Sequence, residues 1–368
     1  NETSPVFVYP EVVKLEDMEV RFLLLMNSES IILLCPGRGN ALTLTESNSG
    51  ELKCEDGQLL LDDWMVSWSE CSCRRHNRSH VRRSEKQCGL PSYSNARLHA
   101  IGWMLANSVF VPQLTVCFDH DQETTVYVIH RIIGSSLPGR VTDGRRPGFK
   151  IGRIFQSRVN LWYKRSSQRK TVGEVFGIKG IGSRRGTRFL ARGHLSPDAD
   201  YATLAEQDAT YYYSNVIPQW QAFNNGNWKA LENSVRRLAE ARRGRMLLVY
   251  TGTMPQPLQL TDILGDRREV FLEPKEQRIP VPSVLWKLVY DPALHQAVVV
   301  LQINSLDTHS PLVSQLSTAA TSMCGALPWV HWDTTDPIRG QTFCWRAGDL
   351  ARILPYAPPL QTFNLLTQ

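Results

Sequence analysis

Eight cysteines constrain this chain more than any other feature of its sequence. Five of them fall within the first 100 residues, and the full set is Cys35, Cys54, Cys71, Cys73, Cys88, Cys117, Cys324 and Cys344. An even number of cysteines permits a framework of four disulfides, whose pairing the sequence alone does not determine. Because disulfides persist in oxidising compartments, the count favours a protein that works outside the cell.

Two Asn-x-Ser/Thr sequons, which begin at Asn1 and Asn77, agree with that location. Such sequons accept glycans in secreted proteins. A first residue other than Met predicts that a signal peptide has been removed. We therefore expect a secreted, extracellular, disulfide-bonded glycoprotein. The alternative is a cytosolic protein with free buried cysteines, in which both sequons occur by chance.

The length of 368 residues suits two domains, and a hydrophobic content of 42% excludes general disorder. No apolar run reaches the roughly 18–20 residues that a membrane span requires, so we expect no membrane partner. Residues 1–110 contain short alternating runs between turn clusters, which predict a small β-rich N-terminal domain that contains disulfides. Residues 111–368 read as strands, a helical block and strands again, which indicates an α+β domain.

Three local patterns define that second domain. Residues 125–129 are β-branched and aromatic and predict a strand, as do the apolar runs 245–250, 283–290 and 297–302. Trp228, Leu231, Val235 and Leu238 recur at helical spacing, which predicts a helix over 228–243. A second helix is predicted over 201–213.

Positive charge is concentrated between residues 140 and 188. This stretch holds fourteen Lys and Arg residues against Asp143 and Glu174, a balance of +12, whereas the whole chain carries +6. Aromatic residues alternate with the cations, which favours a nucleic-acid-binding face over a solvated loop. Nucleic-acid contacts are expected from the end of the stretch, at Arg184, Arg185 and Arg188.

The residues best suited to catalysis lie directly after this basic stretch. Residues 187–194 predict a strand that turns at Gly193 and presents His194 beside Arg192. A neutral histidine is a good general base near neutral pH, and an arginine can bind a phosphate through two hydrogen bonds. Polar residues then recur at fixed offsets, namely Asn215, Gln219, Asn224, Glu232 and Arg236.

Two of these positions have alternative interpretations. Glu232 and Arg236 share one helix face, so they could form a simple ion pair, or Glu232 could orient the water molecules of a bound metal. Asn224 could be a turn residue, or its amide oxygen could be a ligand of Mg²⁺, which keeps most of its own water.

Segments 189–197, 214–219 and 223–228, with Leu231 and Glu232, resemble the DNA/RNA non-specific endonucleases. These are ββα-metal nucleases with an Arg-Gly-His motif, and the spacing from Asn215 to Arg236 matches theirs throughout. The resemblance covers roughly residues 115–368. It is closest to the secreted animal branch, which includes crustacean duplex-specific nucleases and insect gut nucleases. It implies a central antiparallel sheet flanked by helices.

The resemblance also implies a role for each matched residue. His194 is the general base, Asn224 is the direct protein ligand of one Mg²⁺, and Glu232 holds the water shell of the metal. Arg192 and Arg236 contact the scissile phosphate, while Asn215 and Gln219 support the site. Mn²⁺ or Ca²⁺ are alternative metals. Many family members have Asp where this chain has Ala191, which leaves the orientation of Arg192 open.

The resulting hypothesis is a secreted, Mg²⁺-dependent endonuclease that hydrolyses phosphodiester bonds with little sequence specificity and leaves 5′-phosphates. Duplex DNA is the expected substrate, with RNA or a DNA–RNA hybrid as further candidates. The alternative is a non-catalytic, secreted nucleic-acid-binding protein on a nuclease fold. Neither the oligomeric state nor the role of the N-terminal domain follows from the sequence.

One further motif offers a metal site. Cys71, Cys73, His76 and His80 have the residue types of a zinc site, but Cys-x-Cys is shorter than the usual spacing. Disulfides explain these cysteines better in a secreted chain. His120 and His331 are isolated histidines and are expected to be structural.

Overall fold

Strands dominate the computed structural model of the chain. It describes residues 6–8, 12–15, 18–21 and 30–367, except for 56–57, 68–69, 90–92, 106–108, 141, 143–145, 184–185, 187, 243–245, 308–309 and 355–363. In chain order the strands are β1 (Val6–Val8), β2 (Val12–Leu15), β3 (Met18–Arg21), β4 (Ser30–Leu34), β5 (Ser49–Glu55), β6 (Gln58–Leu61), β7 (Trp64–Val66), β8 (His80–Gln87), β9 (Ala96–Met104), β10 (Phe110–Asp119), β11 (Thr124–Ile133), β12 (Leu190–His194), β13 (Val216–Trp220), β14 (Met246–Thr253), β15 (Gln259–Thr261), β16 (Arg267–Glu269), β17 (Phe271–Glu273), β18 (Arg278–Pro280), β19 (Val284–Asp291), β20 (Gln296–Ile303), β21 (Thr342–Trp345) and β22 (Asn364–Leu365). The helices are α1 (Val159–Trp162), α2 (Arg165–Gln168), α3 (Leu204–Ala209), α4 (Gln221–Phe223), α5 (Lys229–Ala241), α6 (Pro311–Ala319) and α7 (Ala347–Ile353).

A nine-stranded sheet forms the centre of the molecule. Its order is β21-β20-β19-β14-β11-β10-β9-β8, all antiparallel, and β22 adds in parallel to β20. Alternate residues of a strand point to opposite sides of a sheet, and both faces of this sheet are covered. Leu247 and Val249 of β14 pack in the cluster that contains residues of α5, whereas Leu248 and Tyr250 pack with residues of α6 and α7. This arrangement confirms the predicted α+β fold with a central antiparallel sheet flanked by helices.

A second, five-stranded sheet lies at the N-terminal end of the chain, with the order β1-β4-β5-β6-β7. Ile31, Leu33 and Leu42 belong to its small core, while Leu34 packs in the main core beneath the large sheet. The large sheet includes β8 and β9, which precede residue 110. The division of the chain at that residue stays a prediction.

Three disulfides join described residues, and they pair Cys35 with Cys73, Cys88 with Cys117 and Cys324 with Cys344. Because Cys73 is oxidised, the zinc alternative at residues 71–80 is excluded. Asn77 is fully buried beside this disulfide. Its Oδ1 accepts a hydrogen bond from Asn40 (2.7 Å) and its Nδ2 donates to the Sγ of Cys73 (3.3 Å). A glycan on Asn77 would displace these contacts, and Asn1 lies outside the described residues.

Strands β12 and β13 form a separate antiparallel pair that leads into α4 and α5. The helix predicted over 228–243 is confirmed as α5. The helix predicted over 201–213 is shorter and covers only α3, because a capping box of Thr203 and Glu206 starts it late. The turn predicted at Gly193 is wrong, since Gly193 lies within β12 opposite Ile217. No described helix is long and apolar enough to cross a membrane.

Candidate active site

A cleft of about 750 Å³ opens beside the β12–β13 pair and the first turn of α5. Five of the residues singled out in the sequence line it, although up to 44 positions separate them along the chain. They are Arg192, His194, Asn224, Glu232 and Arg236. Asn215 and Gln219 are fully buried and lie behind this wall.

His194 is the last residue of β12, and its ring is enclosed by aromatic side chains. The ring centroids of Phe149 and Tyr211 lie 5.4 and 5.1 Å from it. Its Nε2 is buried and has no hydrogen-bond partner in the structure. Burial lowers the pKa of His194 to about 4, with a further decrease from Arg146 and an opposing effect of Asp198. The ring is therefore neutral at neutral pH, and its Nε2 can accept a proton.

Asn215 fixes the chain just after His194. Its Oδ1 accepts a hydrogen bond from the backbone N–H of Ser196 (3.0 Å), and its Nδ2 donates to the carbonyls of Ser196 (2.8 Å) and Thr210 (2.9 Å). These bonds tie the segment that follows β12 to the end of α3. Asn215 thus supports the position of His194 without lining the cleft.

Gln219 lies opposite Ala191 in the strand pair. Its Nε2 donates to the Oε1 of Gln302 at 2.9 Å, which connects β13 to strand β20 of the large sheet. A Cβ atom on Gly193 would approach the Oε1 of Gln219 to 2.4 Å. The glycine of the Arg-Gly-His motif is therefore required by the close approach of this amide.

Arg192 is oriented by aromatic rings in the absence of an acidic neighbour at position 191. Its guanidinium carbon lies 5.2 Å from the ring centroid of Phe149, 5.5 Å from that of Tyr163 and 5.4 Å from that of Tyr213. Its Nε donates to the hydroxyl oxygen of Tyr213 at 3.2 Å. Cation–π attraction of this kind positions the guanidinium without neutralising its charge.

Asn224 begins a π-helical turn, Asn224–Trp228, between α4 and α5. Gly226 leaves helical geometry there, and a Cβ on it would meet the carbonyl oxygen of Arg339 at 2.4 Å. The backbone N–H of Asn227 donates to the same carbonyl at 2.9 Å, and its side chain donates to the carbonyls of Asp333 and Gly340. Segment 333–340 therefore fixes the turn that places Asn224 at the cleft.

Arg236 forms an ion pair with Asp200, in which the Nη1 of Arg236 lies 2.7 Å from the Oδ1 of Asp200. The Nη2 of Arg236 donates a hydrogen bond to the Oδ1 of Asn233. The simple ion pair between Glu232 and Arg236 is absent, and both residues lie in the described part of the chain. The carboxylate of Glu232 is engaged by none of the described hydrogen bonds or ion pairs. Its pKa is raised to about 7 by burial, against the opposing effects of Lys287 and Arg236.

A buried charge network below the cleft was missed by the sequence analysis. The Oδ2 of Asp200 lies 2.8 Å from the Nε2 of His130, and the buried Lys287 donates to Thr251 (2.6 Å). Lys287 was visible as a lone cation inside an apolar strand, which is an unusual position for a charge. Nothing in the local sequence marks His130 or Asp200, because they are 70 residues apart.

The basic stretch contributes to the cleft in a way that differs from the prediction. Arg184 and Arg185 lie outside the described residues. Arg188 is exposed and lines a neighbouring, mainly apolar groove, not the cleft. Arg146 and Arg165, from the same stretch, do line the cleft.

The oxygen atoms of the cleft suit a hard divalent cation. Among the described residues, no three His, Cys, Asp or Glu side chains come together as a metal site. The amide of Asn224 and the unengaged carboxylate of Glu232 both lie at the cleft, and a bound cation would favour the ionised form of Glu232. Mg²⁺ keeps several waters and binds through one or two protein oxygens, so this donor set fits Mg²⁺.

The chain is similar in sequence to known proteins. A family model described as DNA/RNA non-specific endonuclease matches residues 95–332. A salivary endonuclease of Lutzomyia longipalpis is 29% identical over 77% of this chain and 63% of its own length. One of Culex quinquefasciatus is 26% identical over 71% and 66%. Salivary protein Tsal1 of Glossina morsitans morsitans is 24% identical over 88% and 80%. The chain thus covers less than two thirds of the length of the two salivary endonucleases.

Proposed function

The chain belongs to the DNA/RNA non-specific endonuclease family, and from this membership we propose that it is a secreted, Mg²⁺-dependent endonuclease. Duplex DNA is its main substrate, and RNA or a DNA–RNA hybrid can also be cut. The observation that carries the proposal is the buried, unpartnered Nε2 of His194 in a cleft that also contains Arg192, Asn224 and Glu232. A neutral base, a cation and oxygen donors are the groups that phosphodiester hydrolysis requires.

His194 acts first as the proton acceptor. Its Nε2 accepts a proton from the water that attacks the phosphorus atom, which a ring with a lowered pKa can do at neutral pH. An oxygen–phosphorus bond forms, the bond to the 3′ oxygen breaks, and the 3′ oxygen takes a proton from solvent. The phosphate then remains on the 5′ oxygen of the downstream strand, and the upstream strand ends in a 3′ hydroxyl.

The arginines and the metal ligands stabilise negative charge. Arg192 can donate to the phosphate oxygens, because the aromatic rings around it leave its charge uncompensated. Arg236 is already bonded to Asp200, so it contributes mainly as a nearby positive charge. Asn224 would hold Mg²⁺ directly, and Glu232 would hold its water shell, with Mn²⁺ or Ca²⁺ as alternatives. Bound Mg²⁺ supplies charge stabilisation at the phosphate and the leaving oxygen.

Sequence preference should be weak, because the residues described at the cleft suit phosphate and metal and not base edges. Secretion is supported by the three disulfides and by the salivary relatives. The presence of His194, Asn224 and Glu232 together at the cleft argues against the non-catalytic alternative, since loss of any one of them would suffice to abolish catalysis.

The direct test is incubation of the purified chain with supercoiled plasmid and Mg²⁺, with a parallel reaction in EDTA and the His194→Ala variant as controls. We expect nicking and then fragmentation only for the unaltered chain with Mg²⁺, and ligation of the products should show 5′-phosphate ends. Binding of the plasmid without any cleavage would support the non-catalytic alternative. A panel of duplex DNA, single-stranded DNA, RNA and hybrid then ranks the substrates.

A further inference from the structure

A second cationic cavity lies in the N-terminal part of the molecule, outside the cleft. It has a volume of about 500 Å³, and the Arg and His side chains that line it are Arg38, Arg75, His76, Arg78 and His80. We call it the N-terminal cationic pocket. No Asp or Glu is among its described lining residues. All five of these side chains are exposed to solvent.

Most of this charge comes from one short run of sequence. Residues 74–83 contain five arginines and two histidines and no acidic residue. Arg74, the first of the run, pairs with Glu46 and does not line the pocket. Arg75 and Arg78 therefore present charge that no described ion pair neutralises.

The run is fixed by the buried residues that alternate with its exposed cations. Cys73 is bonded to Cys35, and the side chain of Asn77 is bonded to Asn40 and Cys73. The carbonyl of Ser79 accepts a hydrogen bond from the hydroxyl of Tyr212 at 2.6 Å. Because this frame is formed in advance, an anion that binds here orders little additional chain.

The same frame connects the pocket to the cleft. The Nζ of Lys150 donates to the Oγ of Ser79 at 3.2 Å and lies 4.6 Å from the ring centroid of Tyr212. The chain neighbours of these two residues, Phe149 and Tyr211, are the rings that enclose His194. A continuous set of contacts through Ser79, Lys150 and Tyr212 thus joins the pocket to the residues that surround His194.

We propose that the N-terminal cationic pocket binds backbone phosphates of the nucleic acid whose scissile phosphate occupies the cleft. This inference rests on the proposed function. Arginine suits the ligand because its planar guanidinium matches a phosphate through two parallel hydrogen bonds. Connection to the cleft favours a nucleic acid over another polyanion, such as a sulfated glycan. The pocket therefore increases affinity for substrates that are long enough to reach both sites.

The test compares duplex lengths in the full chain. Binding is measured by fluorescence anisotropy with the His194→Ala variant, which cannot cut the probe, using duplexes of about 8 and about 40 base pairs that span about 27 and about 140 Å. Arg75→Gln combined with Arg78→Gln removes two charges from the pocket. Two single substitutions in the same run provide a matched control: Arg78→Gln changes a residue that lines the pocket, and Arg74→Gln changes one that does not.

We expect the double variant to weaken binding of the long duplex by about tenfold or more and to reduce the salt slope by about 1.8, since each phosphate contact contributes about 0.9. Binding of the short duplex should not change. Arg78→Gln should show part of the loss and Arg74→Gln none. Thermal unfolding of each variant confirms that the fold is retained.

Equal losses for both lengths, or no loss for either, would overturn the proposal. Loss of heparin binding together with unchanged binding of the long duplex would also overturn it and would assign the pocket to a glycan. The proposed function is tested separately, because the chain with His194 intact and Mg²⁺ must cut both duplexes. Length-dependent binding without any cutting would refute the proposed catalytic function and would still support the proposal for the N-terminal cationic pocket.

Discussion

At the scale of single residues, the environment of His194 explains how a strand-end histidine can serve as a base. Phe149 and Tyr211 pack against its ring, and its buried Nε2 has no hydrogen-bond partner. Removal from water disfavours the charged form, so the ring remains neutral well below the usual histidine pKa of about 6.5. Arg192 also packs against Phe149, so the proposed base and the proposed phosphate-binding cation contact the same ring.

This environment predicts the acid limit of activity. The base must be neutral, and a pKa of about 4 means that kcat/KM should rise with pH through about 4 and level off by about pH 5. The measurement is kcat/KM on a short duplex at saturating Mg²⁺ across this range. Phe149→Ala should admit water to the ring and move the midpoint upward. A midpoint near 6.5 in the unaltered chain would contradict the assignment.

The three cleft residues should respond differently to metal. His194→Ala should lower turnover by about 10²–10⁴-fold and leave the Mg²⁺ concentration for half-maximal activity unchanged. Asn224→Ala should raise that Mg²⁺ concentration, and excess metal should restore part of its rate. Glu232→Ala should have the same effect in milder form, with a loss of about 10–100-fold in metal affinity or activity. The measurement is cleavage rate against Mg²⁺ concentration for each variant. If excess metal rescued the His194 variant and not the Asn224 variant, the roles of these two residues would be reversed.

At the scale of elements, the site depends on how the β12–β13 pair and α5 are joined. The turn Asn224–Trp228 interrupts the helix at Gly226, and the carbonyl of Arg339 occupies the space that a side chain would need. The opposing group is backbone, so it cannot move aside as a flexible side chain would. The geometry of Asn224 is therefore decided by a segment more than 100 residues later in the chain.

Gly226→Ala tests this dependence. The added Cβ would force the turn away from Arg339 and displace Asn224, and a displacement of about 1 Å can reduce a rate by about 10²-fold. Gly348→Ala is the control, because a Cβ there meets no atom within 4 Å. We expect the first variant to lose activity while keeping its near-UV circular dichroism, and the second to lose none. Full activity of Gly226→Ala would show that the turn tolerates the shift.

At the scale of the whole molecule, the large sheet joins the N-terminal third of the chain to the nuclease core. Ile101 and Trp103 of β9 are buried in the main core, and the Cys88–Cys117 disulfide links the chain just after β8 to β10. A chain that begins at residue 111 would lack two strands of the sheet and expose the edge of β10.

We therefore expect fragment 111–368 to lack a cooperative thermal transition. Fragment 74–368 keeps β8 and β9 and should fold, with a lower Tm because Leu34 no longer packs in the main core. Differential scanning calorimetry of both fragments beside the full chain provides the measurement. A cooperative transition and cleavage activity in fragment 111–368 would contradict this expectation and support a domain boundary at residue 110.

The charge of the molecule as a whole predicts salt-sensitive binding. Residues 140–188 carry +12, and each neutralised phosphate of duplex DNA steepens the salt dependence by about 0.9. Reversing Arg184 and Arg185 to Glu should reduce the magnitude of the slope by about 1.8. The control reverses Lys275 and Arg352, which are exposed elsewhere on the molecule. The readout is the affinity of the His194→Ala protein for duplex DNA across a salt series. Equal slopes for the two variants would show that the stretch is not the binding face.

The sequence by itself determined what depends on local pattern and fixed spacing. Apolar periodicity predicted α5 and strands β14, β19 and β20, because a helix or strand repeats its buried face at a fixed interval. The resemblance of residues 189–236 to a nuclease family implied that seven side chains serve one site, and five of the seven line one cleft. Local pattern could not show that Gly193 lies within β12, because the requirement for glycine at this position comes from Gln219 on the opposite strand.

Only the tertiary structure decided which distant residues meet. Asp200 joins His130 and Arg236, three rings from separate segments position Arg192, and Cys73 pairs with Cys35 and not with a metal. Each of these contacts links residues far apart in the chain. Their partners are selected by how the sheets and helices pack, and packing depends on the whole core and not on any local run of sequence.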